Sequence, residues 1–363
     1  MRSARMSADN HESFFAHEVE KRHPTTTAGA CSLNKEIAEM SSKQRLIYLS
    51  DADVQACGAS ALEITEAVRR AFQDLQAGAA VVQPQLEMVA DANLDFKAKG
   101  GILMSEHIAA VKWYGFSADN PKRGLPNFIP LIILNALPTG SPLAVMDGHW
   151  ISGVRTAALS TVAARALAHP QSESVGFIGA GLQAISHLDA LLDCFPLRRI
   201  TVHSRTHASA SRLLEHAGKL GLQAAWTEDA QTAVRDHAIV VSSIPRLTER
   251  ASFLDASWLA AGSFVAMVDA GRAWRTESLA AIDCAYTDHL DARTGRPLET
   301  LFYDGPYAGQ LSELAGREPD TLPIAPDARR AMVFGGSGLA DTAVAGLIYR
   351  KAVARGLGMV LPT

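Results

Sequence analysis

The stretch that most constrains this chain is Ser174 to Thr206, SVGFIGAGLQAISHLDALLDCFPLRRITVHSRT. Val175-Gly176-Phe177-Ile178 has the length and apolarity of a buried strand. Gly179-Ala180-Gly181-Leu182-Gln183-Ala184 follows without a gap. Ile185, Leu188, Leu191 and Leu192 then share one helical face, and Ile200-Thr201-Val202 reads as a second strand. A G-x-G-x-x-A turn between a strand and a helix is the setting in which this motif binds a dinucleotide. The first glycine permits the tight turn, the second lets a pyrophosphate approach the backbone, and Ala184 allows close helix packing. The helix N-terminus offers free N–H groups to the anion. The competing reading is an ordinary strand-turn-helix with flexible glycines.

The second strand ends in His203-Ser204-Arg205-Thr206, with no carboxylate at its tip. A carboxylate there binds a ribose 2′-hydroxyl and repels a 2′-phosphate, whereas an Arg between hydroxyls suits the phosphate. Ser204, Arg205 and Thr206 are therefore expected to favour NADP(H), with NAD(H) as the alternative. A solvated Arg at a helix start capped by Ser or Thr is the plainer reading.

The 363 residues suggest about two domains. A net charge of −4 without a basic stripe argues against nucleic acid as a partner. No apolar run approaches the ~18 residues of a membrane span, and the N-terminus lacks the apolar core of a secretory signal. Cys31, Cys57, Cys194 and Cys284 are scattered, which reads as reduced thiols in a cytoplasmic protein. His107, His149 and His289 lack ligand spacing, so no metal is expected.

Residues 1 to about 44 are polar and irregular and read as an arm or leader. Leu46 to Leu49 is an expected strand. Ser60-x-x-Glu63 is a capping box opening a helix that Gly78 stops. Strand-like runs at Val81-Val82, Leu86 to Val89, Ile102 to Met104, Ile108 to Trp113 and Ile129 to Leu134 suggest a curved sheet with one helix. Trp150 to Ala168 is helical and ends before Pro170. Helices at 208–220 and 229–235 alternate with strands at 238–241 and 264–268, which implies a parallel sheet. Residues 291–328 read as connections with short helices, and 340–355 as a final helix.

Three residues stand out chemically. Lys112 interrupts the apolar strand Ala109 to Trp113; either its pKa falls or a partner holds it, unless its stem packs while the amine reaches water. Arg155, followed by Thr156, lies in an apolar helix after Asp147-Gly148, where a guanidinium holds an anion or a structural carboxylate. Asp269 ends a parallel strand at the edge where doubly wound sheets bind ligands. There it relays a proton or caps the next turn. Phe334-Gly335-Gly336-Ser337-Gly338-Leu339 is a second glycine loop before a helix, a weak anion-site signal.

Together these pieces resemble the ornithine cyclodeaminase/μ-crystallin family over roughly residues 45 to 363. The resemblance rests on Val111-Lys112-Trp113, Asn120 to Pro126, Thr139 to Gly148 running into Val154-Arg155-Thr156, Gly179 to Gln183, and Phe334 to Leu339. It implies an α/β protein: a Rossmann-type parallel-sheet domain (161–329) and an α+β substrate and dimerisation domain (45–160 and 330–363) completed by the C-terminal helix. It further implies a homodimeric NAD(P)-dependent oxidoreductase that moves hydride between nicotinamide and the α-carbon of an amino acid or its imine. Lys112 and Arg155 would hold the substrate carboxylate, and Asp269 would relay a proton. Gly179, Ala180, Gly181, Leu182 and Gln183 would bind pyrophosphate. Ser242, Ser337, Gly338 and Leu339 would line the cofactor, Arg155 and Thr156 beside it. Gln85 stands where relatives often carry a basic residue and would replace that substrate-carboxylate contact or leave it missing, and Asp341-Thr342-Ala343 replaces a Glu-Asp pair in the last helix. The alternatives are an ornithine cyclodeaminase using catalytic NAD, which the Ser204-Arg205-Thr206 tip disfavours, and an NADPH-binding protein with little turnover.

Overall fold

The computed structural model describes residues 45–246, 252–318 and 321–362. The expected arm at 1–44 lies outside them.

β1 (Leu46–Leu49) leads into α1 (Asp51–Ala56), which the sequence reading did not anticipate. Its start is nonetheless a capping box: Ser50 Oγ accepts from the Asp53 N–H while the Asp53 carboxylate accepts from the Ser50 N–H. Ser60 and Glu63 do the same for α2 (Ala61–Gln76), as their spacing requires. β2 (Ala80–Val82), β3 (Leu86–Asp91), β4 (Leu94–Leu103), β5 (Ile108–Ser117), β6 (Phe128–Ala136) and β7 (Pro142–Asp147) follow, then α3 (His149–Leu167).

The second half runs β8 (Ser174–Ile178), α4 (Leu182–Leu192), β9 (Arg199–His203), α5 (His207–Lys219), β10 (Gln223–Thr227), α6 (Ala230–Arg235), β11 (Ile239–Ser242), β12 (Phe264–Met267), β13 (Cys284–Thr287), β14 (Gly309–Gln310), α7 (Leu311–Leu314) and β15 (Arg330–Val333). α8 (Gly338–Arg355) and β16 (Met359–Leu361) return to the first sheet.

The first sheet has the order β16-β1-β7-β6-β5-β4-β2, with β3 also on β4. The second, β10-β9-β8-β11-β12-β15-β13-β14, is parallel throughout. β15 lies inside it: Phe264 pairs with Arg330 and Met267 with Val333. The boundary expected at residue 330 therefore falls too early, because Arg330–Val333 still fill a gap between β12 and β13.

α3 is apolar on every side, and such a helix is buried on every side. It packs on α2, α4 and α8, and nearly all of it is buried. One continuous core runs from Leu49 and Ile132 under the first sheet to Val175 and Phe264 in the second. α3 thus carries Arg155 into the seam between the sheets. Among the described residues no helix is long and apolar enough to cross a membrane, and Cys57, Cys194 and Cys284 are free thiols.

Candidate active site

β4 and β5 pair over their whole length, with Lys99 opposite Lys112 and Asp95 opposite Phe116. Side chains alternate across a sheet. Asp95, Lys99 and Lys112 therefore share the inner face with Ile132 and Leu134 of β6, while Phe96, Ile129, Leu131 and Ile133 are exposed on the outer face.

Lys112 is 1% exposed. Its Nζ lies 2.8 Å from Asp341 Oδ2, and donates to Asp341 Oδ1 at 2.9 Å and Ser152 Oγ at 3.4 Å. The Tyr114 and Phe128 ring centroids are each 5.7 Å away. Burial, and next the Arg155 charge, pull its pKa from 10.5 down to about 7 against the opposing pull of Asp341. Arg155 comes to the same carboxylate from α3, with Nε 2.9 Å from Asp341 Oδ1. Two cations thus converge on one buried carboxylate. Asp341 is the principal residue the sequence reading passed over, noting it only as a departure in the last helix.

α8 delivers Asp341 because its start is pressed against β4. A Cβ at Gly101 would lie 2.8 Å from Leu339 Cα, and one at Gly338 2.6 Å from the Gly100 backbone. Only glycines permit that approach. Gly336 takes a left-handed φ of 92°, and a Cβ there would sit 2.7 Å from Arg155 Nη1.

Beside Arg155 is a cavity of about 220 Å³ lined by Thr156, Gln183, Ser243, Ile244, Val268 and Phe334 to Gly336. Three buried polar atoms on its lining residues, Arg155 Nη1, Gln183 Oε1 and Ser243 Oγ, have no hydrogen-bond partner among the described residues. Buried polar groups are normally paired, and these three are left free to meet a polar ligand in the cavity. The glycine turn adjoins them. Gly179 has φ 99° and a Cβ there would meet the Ser243 carbonyl at 2.9 Å, whereas a Cβ at Gly181 would meet nothing within 4 Å. That open side faces the start of α4, which has no side-chain cap and so keeps free N–H groups for an anion. Gly179, Ala180, Gly181, Leu182 and Gln183 fit a dinucleotide pyrophosphate on these grounds. Ser204 and the exposed Arg205 and Thr206 follow β9, and Arg205 has no ion pair among the described residues.

Some expected ligand residues are placed otherwise. Ser242 is fully buried; its Oγ donates to Asp269 Oδ1 at 3.1 Å and accepts from Trp274 Nε1 at 3.0 Å, so its neighbour Ser243 faces the cavity instead. Ser337, Gly338 and Leu339 are consumed by the buried start of α8, where Ser337 Oγ accepts from the Leu339 N–H. Phe334, Gly335 and Gly336 line the cavity in their place. Gln85 lies between β2 and β3 and makes no hydrogen bond to the Lys112 cluster.

Asp269 stands just past β12. Oδ1 accepts from Ser242 Oγ and the Gly271 N–H, while Oδ2 has no hydrogen-bond partner among the described residues. Burial pushes its pKa up to about 7. Ala270 follows with a left-handed φ of 61°, a strain of the kind that gathers at working sites. Asp269 makes no direct contact with Lys112, but its neighbour Val268 shares the cavity wall with Arg155. Among the described residues no cluster of three or more His, Cys, Asp or Glu is set to hold a metal.

The chain is similar to several known proteins. An alanine dehydrogenase of Archaeoglobus fulgidus is 27% identical over 306 residues, covering 82% of this chain and 92% of the relative. The ketimine reductase mu-crystallin of Mus musculus is 27% identical over 251 residues, 68% of this chain and 76% of the relative. The Thermococcus litoralis Delta(1)-pyrroline-2-carboxylate reductase, solved with NADH and L-proline, superposes with a TM-score of 0.76 at 26% identity, over 87% of this chain and all of that one. The model of the ornithine cyclodeaminase/mu-crystallin family matches residues 46–283. This chain belongs to the ornithine cyclodeaminase/mu-crystallin family.

Proposed function

We propose that the chain is an NADP(H)-preferring oxidoreductase of α-amino acids or their imines, in which Lys112 and Arg155 hold the substrate carboxylate. The observation that carries this reading is the convergence of Lys112 and Arg155 on Asp341 beside the cavity, with Arg155 Nη1 left without a hydrogen-bond partner among the described residues. A substrate carboxylate takes charge-assisted hydrogen bonds from that free Nη1 in a dry site. Holding the carboxylate against Arg155 places the α-carbon beside the cavity, a positioning effect. The bound nicotinamide supplies or accepts the hydride at that carbon. Asp269, with a pKa about 7, gives a proton to the substrate nitrogen or takes one from it; Lys112 is the other group titrating in that range.

Arg205, exposed and without an ion pair among the described residues, supports the 2′-phosphate reading. The exposed outer face, Phe96, Ile129, Leu131 and Ile133, supports a homodimer, since contiguous apolar surface marks association sites. An alanine dehydrogenase with 24% identity and a TM-score of 0.76 was solved as a dimer with NAD. The free thiols fit a cytoplasmic setting.

The test is a panel of imines made from 2-oxo acids, each paired with an analogue lacking the carboxylate, followed by loss of NADPH absorbance. Turnover of the carboxylates alone is expected. Equal turnover of both sets would overturn the role of Lys112 and Arg155.

A further inference from the structure

Lys99 is 5% exposed and faces Lys112 across β4 and β5, yet it does not line the cavity. Its ammonium donates to the carbonyls of Gly335 and Gly336, each at 2.9 Å, with Glu299 Oε1 at 3.4 Å. From the segment after β13, Asp288 Oδ2 accepts the Gly336 N–H at 2.9 Å. His289 Nε2 shares a 2.7 Å hydrogen bond with Ser337 Oγ, the cap of α8. Both residues are nearly fully buried, Asp288 at 1% and His289 at 4% exposed.

Buried polar side chains are costly unless satisfied, and a network satisfied in full fixes one backbone arrangement. Here one side chain from the first sheet and two from the second grip three consecutive residues, Gly335 to Ser337. The gripped turn touches Arg155 at Gly336, and Asp341 lies in the first turn of the helix that begins there.

We propose that Lys99, Asp288 and His289 form a clamp on the Gly335–Ser337 turn and are positioning residues for the active site. By holding the turn they set where α8 begins, and so where Asp341 presents its carboxylate to Lys112 and Arg155. Their effect on catalysis rests on the reading of Lys112 and Arg155 as the carboxylate pair.

The full chain carrying Lys99→Met together with Glu299→Gln tests this, because the second change avoids a buried unpaired carboxylate. Hydrogen exchange over residues 334–341 is expected to accelerate. KM for the imine carboxylate is expected to rise about tenfold, as for lost hydrogen bonds to a charged donor. Wild-type exchange and KM would overturn the clamp. If the double variant does not fold, His289→Gln, which keeps the charge balance, carries the same expectation for exchange, and unchanged protection there would overturn it. Faster exchange in a protein whose Arg155→Met variant keeps full turnover would support the clamp and overturn the carboxylate reading. Unchanged exchange beside a dead Arg155→Met variant would overturn the clamp alone.

Discussion

Lys112 and Asp341 meet at 2.8 Å with both side chains 1% exposed, one from the middle of β5 and the other from the first turn of α8. They are 229 residues apart in the chain. A pair so buried is strongly destabilised by loss of one partner, because the other charge stays in the core without compensation. Asp341→Asn leaves Lys112 and Arg155 facing each other. The expected result is a stability loss of about 3–5 kcal/mol in urea unfolding. Activity in the surviving folded protein should fall about 10²-fold, as for a displaced substrate-positioning group. Wild-type stability would mean that the pair is not formed in solution.

Asp269 gives a pH signature. Its folded pKa is raised from 3.8 to about 7 by burial. Between those values the unfolded chain has lost the proton and the folded chain keeps it, so this group makes stability fall as pH rises from about 4 to about 7 and adds nothing further above. Asp269→Asn should remove that decline and be relatively more stable at pH 7 than at pH 4. The same variant should flatten the limb of the pH–rate profile centred near 7. An unchanged limb would assign it to Lys112.

Two nearby glycines, Gly176 inside β8 and Gly181 in the turn after it, separate folding from binding. A Cβ at Gly176 would lie 1.8 Å from the Ala233 carbonyl, while one at Gly181 meets nothing within 4 Å. Gly176→Ala is expected to unfold the protein or lower its melting temperature sharply. Gly181→Ala should melt like wild type yet bind NADPH at least about tenfold more weakly, because the methyl occupies the pyrophosphate approach. In the same titration Arg205→Ser should weaken NADPH about tenfold or more and leave NADH alone. Equal loss for both nucleotides would remove Arg205 from the phosphate site.

Ile129, Leu131 and Ile133 form an apolar row on the outer face of β6. Leu131→Asp places a charge in its centre. Sedimentation should show the wild type as a dimer and the variant as a monomer; a monomeric wild type would contradict the proposed interface.

The glycine motif, the capping box at Ser60 and the helix around Arg155 were legible because each is a local pattern. β10 was not, since its residues are mostly exposed and form no apolar run. β15 was missed because Arg330-Ala331-Met332-Val333 is short and its partners β12 and β13 are distant in sequence. β4 misleads in a more instructive way. Its alternation sets Phe96 and Ala98 against Asp95, Lys97 and Lys99, which by habit reads as apolar inside. The structure inverts it: Asp95 and Lys99 are buried toward the site and Phe96 is exposed. A charged row inside a sheet is legible only once its partners, Arg246 for Asp95 and Glu299 for Lys99, are known. Asp341 escaped for the same reason, since nothing local marks a carboxylate that two distant cations will share.

The most direct measurement is the fate of deuterium placed at both hydrogens of nicotinamide C4 of NADPH when the enzyme turns over an imine carboxylate, read by mass spectrometry of the amino-acid product. Deuterium at the product α-carbon, lost with Arg155→Met, is the expected result. Product without label, or labelling that survives Arg155→Met, would contradict hydride transfer at a carbon held by the Lys112–Arg155 pair.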